Sequence, residues 1–158
     1  MWQKIIGVYD YAALTSSVDF VSVMSYDDPH SKGPVAGYEW LKKVLAYSLS
    51  KIPKEKLSLG IPLYYWQWNM ATGKRVGIGG NEGIDNVFKK HHVSVTFSAE
   101  ERAPHLDYWT RATPYRIWYE NARGIREKVA LVKEARILGM SFWALGLEVP
   151  SIFNVIQR

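Results

Sequence analysis

The sequence predicts an α/β protein with parallel strands and an α+β insertion after the second strand. Three observations lead there. Three runs of apolar and β-branched residues read as strands: Asp19 to Ser25 (DFVSVMS), Leu57 to Tyr64 (LSLGIPLY) and Met140 to Leu147 (MSFWALGL). Helical periodicity lies between them. A stretch from about Trp66 to Arg116 interrupts the alternation. Strand, helix, strand, segment, helix, strand, helix is the rhythm of a parallel sheet, whose neighbouring strands need crossover connections.

Each element has its own signal. Asp10 to Ser16 reads as the end of a short helix, and the loop SYDDPHSKGPVAG follows the first strand. Gly37 to Lys51 is helical: Leu41, Val44, Leu45, Ser48 and Ile52 recur at three- and four-residue steps, and Pro53 stops it. Ala122 to Leu138 is a second helix, with Ile125, Val129, Val132 and Ala135 on one face and Gly139 as its C-cap. Ser151 to Gln157 is a short final helix. The interrupting segment mixes Gly77, Gly79, Gly80 and Gly83, read as turns, with a short helix near Asn86 to Lys90 and a strand-like VSVTF.

Composition narrows the function classes. The chain has 158 residues, 47% of them apolar, enough for one domain with a real core. The net charge is +5, but no run of five or more basic residues occurs, which argues against a nucleic-acid or membrane-surface partner. Without cysteine there is no disulfide scaffold, thiolate metal site or cysteine nucleophile. No stretch approaches the ~18 apolar residues of a membrane span, and Met1 to Gly7 is too short for a signal peptide. The 7 Trp and 10 Tyr suit both cores and carbohydrate faces.

The strand faces differ. Val21 and Val23 oppose Ser22, Met24 and Tyr26; Leu57, Leu59, Ile61 and Leu63 oppose Ser58, Gly60, Pro62 and Tyr64; Met140, Phe142 and Ala144 oppose Ser141 and Trp143. One face is apolar throughout, as a layer of helices requires. The other begins with small residues and carries aromatics further along. In a barrel this second face points inward, and Tyr26, Tyr64 and Trp143 line one mouth. The same pattern also fits plain core filling.

These segments resemble glycoside hydrolase family 18, which includes chitinases and spore-cortex or peptidoglycan-directed relatives. YDYAALTSSVDFVSVMSYD resembles the sixth barrel strand and its preceding helix, ending in a Met-x-Tyr-Asp motif at Met24, Tyr26 and Asp27. KLSLGIPLYYW is similar to the seventh strand, with Gly-x-Pro-x-Tyr at Gly60, Pro62 and Tyr64. WYENARGIREKVALVKEARILGMSFWALGLE is similar to the last helix and eighth strand, with the family's Trp at Trp143. The resemblance implies a partial TIM (β/α)8 barrel, about its last three βα units, over residues 1–158, with residues 66–116 as an α+β insertion. Two departures stand out. The family's Asp-x-x-Asp-x-Asp-x-Glu motif, whose Glu is the proton donor, is missing, as are the first four to five strands. Gly124 stands where Ser is usual, a change expected to cost local stability.

The resemblance also implies chemistry: substrate-assisted, retaining hydrolysis of β-1,4-linked N-acetylglucosamine-containing glycans, in which the 2-acetamido oxygen attacks the anomeric carbon. Tyr26 is then the donor that holds the acetamido group, and Asp27 supports that polar network. Trp143 is the floor under the sugar, with Met24 packed beneath and Tyr64 a neighbour. Glu148, just past the third strand, either binds sugar hydroxyls or faces solvent. Asp27 and Asp28 are adjacent but point apart, so they form no dyad. His91 and His92 lack a carboxylate at metal-ligand spacing, and His30 is a minor candidate for substrate contact. No cofactor or metal is expected. The expected partner is an N-acetylglucosamine-containing polysaccharide or oligosaccharide. The parent is expected to be extracellular or in the cell envelope. Three readings remain: a hydrolase, an inactive carbohydrate-binding half barrel, and a fragment that pairs with itself or with a complementary N-terminal half.

Overall fold

A computed structural model of the chain describes residues 9–156. Met1 to Gly7, and Gln157 at the end of the expected final helix, lie outside them. The elements in order are α1 (Tyr11–Ser17), β1 (Val21–Val23), α2 (Tyr38–Leu49), β2 (Leu57–Pro62), β3 (Tyr65–Asn69), β4 (Lys74–Gly79), α3 (Asn81–Lys90), β5 (Val93–Ser98), β6 (Ala103–Thr110), β7 (Thr113–Trp118), α4 (Ala122–Ala135), β8 (Gly139–Trp143) and α5 (Phe153–Ile156).

Two sheets result. The first has order β1-β2-β8, and both of its pairings are parallel. Its central strand β2 is buried at every position. The residues 57, 59, 61 and 63 form the expected apolar face. They pack against Leu41 and Leu45 of α2 and Ile125, Leu131 and Val132 of α4. Each such side chain contributes roughly 1.5–3 kcal/mol through burial, so this layer anchors the fold. Met140 and Phe142 join it from β8. On the opposite face Ser141 links both neighbours: Ser22 Oγ donates to Ser141 Oγ at 3.0 Å, and the Ser58 and Ser141 hydroxyls lie 2.6 Å apart. The small residues of this face are therefore tied together by hydroxyls.

The second sheet is antiparallel, with order β4-β3-β7-β6-β5, and lies between β2 and β8 in the chain. It is more regular than the sequence suggested. Pro104 and Pro114 sit within its strands, and three of the four glycines expected to mark turns lie inside elements instead. Gly77 and Gly79 belong to β4, and Gly83 to α3, which starts at Asn81 rather than near Asn86. Their role is close approach. A Cβ on Gly79 would lie 2.8 Å from the Tyr65 hydroxyl, and one on Gly83 only 2.5 Å from it. The buried Tyr65 ring occupies the space that side chains there would need.

Helix ends also differ from expectation. α4 stops at Arg136, whose φ of 53° is left-handed, and Gly139 is the first residue of β8. A non-glycine residue in that conformation costs about 1 kcal/mol, which the tertiary packing of α4 offsets. Gly124 has a structural reason. A Cβ there would lie 2.7 Å from Glu120 Oε2 and 3.3 Å from the Arg102 carbonyl. Glu120 and Lys128 form a buried ion pair, Oε1 to Nζ 2.7 Å, with Lys128 fully enclosed. Glu120 Oε2 has no hydrogen-bond partner among the described residues. Burial raises the Glu120 carboxyl pKa, and Lys128 opposes that shift.

Two features join the sheets beside the parallel strand ends. Val35, Tyr64, Trp66, Trp68, Ala103 and Trp118 form one buried cluster, with Tyr26 and Leu147 against it. The Glu101 carboxylate, from the β5–β6 turn, sits at the N-terminus of α2. A Cβ on Gly37 would come within 2.5 Å of it, and a negative charge there is favoured by the helix dipole.

Candidate functional site

The site grows out of the end of β1. After Val23 the chain bends sharply: the Ser25 backbone N–H donates to the Val23 carbonyl, and the Ser25 hydroxyl donates to the Gly60 carbonyl at 2.6 Å. This buried bond fixes the segment that carries Tyr26 and Asp27 across β2. Gly60 makes the crossing feasible, because a Cβ there would sit 2.5 Å from the Val23 carbonyl and 3.1 Å from the Tyr26 ring. Asp27 has φ of 61°, one of four non-glycine residues with positive φ among those described. Aspartate tolerates this conformation better than most residues, and outliers of this kind gather at binding sites.

Three of the expected residues meet directly. The Tyr64 hydroxyl donates to Asp27 Oδ1 at 2.7 Å. The rings of Tyr26 and Tyr64 pack edge to face, with centroids 6.3 Å apart. Burial first, then the hydrogen bond to Asp27, pushes the Tyr64 phenol well above its ordinary range. Burial and the Asp27 charge raise Tyr26 as well. Both phenols are therefore held protonated. Tyr64 is committed to Asp27, whereas the Tyr26 hydroxyl has no hydrogen-bond partner among the described residues and is the available donor.

The other expected residues lie close by but more openly. Trp143 ends β8 opposite Pro62, and its carbonyl accepts from the Leu63 N–H at 2.7 Å. Trp143 is 59% exposed. Met24 is 74% exposed, so it is not packed beneath a ring within the described residues. Glu148 lies on the loop after β8, where its Oε2 accepts from the Gly146 N–H at 2.6 Å. Of the other candidates, Asp28 is buried and accepts from the His30 N–H at 2.9 Å, which turns the loop after Tyr26. No group of three potential metal ligands occurs among the described residues, and no helix there is long and apolar enough to cross a membrane.

One neighbour was not anticipated. The guanidinium of Arg75, on β4, lies 4.1 Å from the centroid of the Trp66 ring. Trp66 shares the buried cluster with Tyr64. No motif marks Arg75 in the sequence.

The model for glycosyl hydrolases family 18 matches residues 2–148. The chain belongs to this family. It is 31% identical to YvbX, an uncharacterized glycosylase of Bacillus subtilis strain 168, over 95% of this chain and 45% of the relative. The spore cortex-lytic enzyme SleL of Bacillus cereus superposes with a TM-score of 0.79 at 29% identity, over 93% of this chain and 36% of that protein. A chitinase from Chromobacterium violaceum gives 0.78 at 28% identity, over 95% of this chain and 50% of the other. The chain thus spans half or less of each of these proteins. The motifs at Met24, Tyr26, Asp27, Gly60, Pro62, Tyr64 and Trp143 all fall within the matched residues.

Proposed function

We propose that this chain forms the C-terminal part of a family 18 barrel, about its last three βα units, with residues 66–116 inserted, and that its site receives a β-1,4-linked N-acetylglucosamine-containing glycan. The observation that carries this is the Tyr64–Asp27 hydrogen bond with Tyr26 edge-on beside it, at the ends of parallel strands. Tyr26, a fixed phenol donor, holds the acetamido oxygen in line with the anomeric carbon. Asp27, oriented by Tyr64, accepts from the acetamido N–H and disperses the positive charge that develops as the oxazolinium ring closes and the glycosidic C–O bond breaks. The leaving oxygen takes its proton from the acid Glu of the family motif, which this chain's sequence does not contain. Trp143 offers a flat apolar face to the sugar. Met24 and Glu148 stand at the rim. The route is substrate-assisted and retaining.

The sequence contains no Asp-x-x-Asp-x-Asp-x-Glu motif. That observation favours a second reading for the chain on its own, a carbohydrate-binding half barrel without hydrolytic activity. General-acid assistance is worth ~10²–10⁴-fold, so the purified chain should not hydrolyse chitooligosaccharides above background. Product release should be followed by mass spectrometry. Turnover that Asp27→Ala abolishes would overturn the inactive reading and leave a working hydrolase.

A further inference from the structure

A bulge in the antiparallel sheet aims a cation at the rim of this site. β3 and β4 pair in step from Tyr65–Gly79 through Gln67–Gly77. The register then shifts, so that Trp68 faces Arg75 instead of Val76. Without the shift, Val76 would share the face of Trp66 and Trp68; with it, Arg75 does. Bulges re-aim side chains in this way, frequently next to binding sites. The Arg75 guanidinium rests on the ring of Trp66, which is buried and packed in one cluster with Tyr64 and Tyr26. The Arg75 charge is felt at the Tyr64 phenol, where it opposes the larger effects of burial and Asp27.

Arg75 is nevertheless uncommitted. It is exposed and forms no ion pair among the described residues. Arg116 shows the contrast. It too lies near a tryptophan, 5.9 Å from the Trp118 ring, but it is clamped on both oxygens of Asp107 at 2.6 and 2.7 Å. The Asp27 carboxylate is engaged by Tyr64. A guanidinium restrained over an aromatic ring still has the N–H edge that takes a carboxylate in two parallel hydrogen bonds.

We propose that Arg75 is a specificity-determining residue that binds a carboxylate on the glycan, so that the preferred ligand places an acidic sugar beside N-acetylglucosamine. This rests on the reading of the site as a glycan site. The test uses the whole chain and three β-1,4-linked disaccharides in calorimetric titrations at low ionic strength: N-acetylglucosaminyl-N-acetylmuramic acid, its methyl ester, and N,N′-diacetylchitobiose. The acid should bind about fivefold tighter than its ester, as expected for an exposed charge-assisted contact. The preference should fade in 1 M salt. In Arg75→Gln the acid and ester affinities should converge, while Arg75→Lys should keep part of the gap. Equal binding of acid and ester by the parent chain, with diacetylchitobiose still bound, would overturn the role of Arg75 and leave the glycan site standing. A preference that persists in a folded Arg75→Gln would do the same. Binding of none of the three sugars would overturn the glycan reading and the inference with it.

Discussion

At the scale of single residues, the site depends on how Tyr64 and Asp27 share one proton donor. Asp27 sits in a left-handed conformation that only a well-determined environment sustains, and the Tyr64 hydroxyl is part of that environment. Tyr64→Phe should cost about 1–2 kcal/mol in urea denaturation, because a hydrogen bond to a charged group is lost while the ring packing stays. The pH dependence has a definite sign. The folded-state pKa of Tyr64 is raised above its ordinary value of 10.0, so the folded chain holds the proton after the unfolded chain releases it. Stability from this group is complete below about pH 10 and is lost as pH rises beyond it. Tyr64→Phe should flatten part of that alkaline fall; an unchanged profile would argue against the coupling. Tyr26, Asp27 and Tyr64 were legible in the sequence because strand ends and short motifs place them. Arg75 was not, because a one-residue register shift, invisible in a pattern of charged and apolar residues, decides which of Arg75 and Val76 faces the tryptophans.

At the scale of elements, glycine misled the sequence reading most. In α3, Gly83 looks like a helix breaker and concealed the first turn of the helix. Substituting alanine there would gain about 0.8–1.0 kcal/mol of helix propensity. The new Cβ would meet the Tyr65 hydroxyl at 2.5 Å and its ring at 2.9 Å, and overpacking of this kind costs roughly 1–3 kcal/mol. The clash should win, so Gly83→Ala should lower the thermal midpoint despite the better helix former. A higher midpoint would mean that Tyr65 moves aside freely. The strands β6 and β7 were hidden for a related reason. Each contains a proline, a residue that strand interiors disfavour, yet Pro104 and Pro114 pair with Phe97 and Trp109 in the ladder. The parallel strands were clear because their apolar alternation is set by burial under α2 and α4. The end of α4 was not, since Arg136 takes the conformation that glycine usually supplies.

At the scale of the molecule, the parallel sheet has two outer strands, β1 and β8, with no further partner among the described residues. Met24, Trp143 and Leu145 are exposed at or just beyond the ends of those strands. Unpaired strand edges and contiguous apolar surface both favour association. Sedimentation at micromolar concentration should therefore show self-association, or a shift to a defined heterodimer when a complementary N-terminal half of a family 18 barrel is added. A single species at 18.1 kDa with cooperative unfolding would show that the chain is self-sufficient. The separation of scales explains how much could be read in advance. Residue pattern reports local burial, whereas the meeting of two sheets depends on contacts such as Glu101 with the start of α2, which no local pattern encodes.

The loop after β8 has a mechanical consequence. The Asn81 N–H donates to the Leu147 carbonyl at 3.0 Å, and Gly80 lies flat against Leu147. The segment bearing Glu148 is thereby latched to the start of α3, a helix of the antiparallel sheet. The position of this loop is therefore tied to that of the start of α3 through the Asn81–Leu147 hydrogen bond.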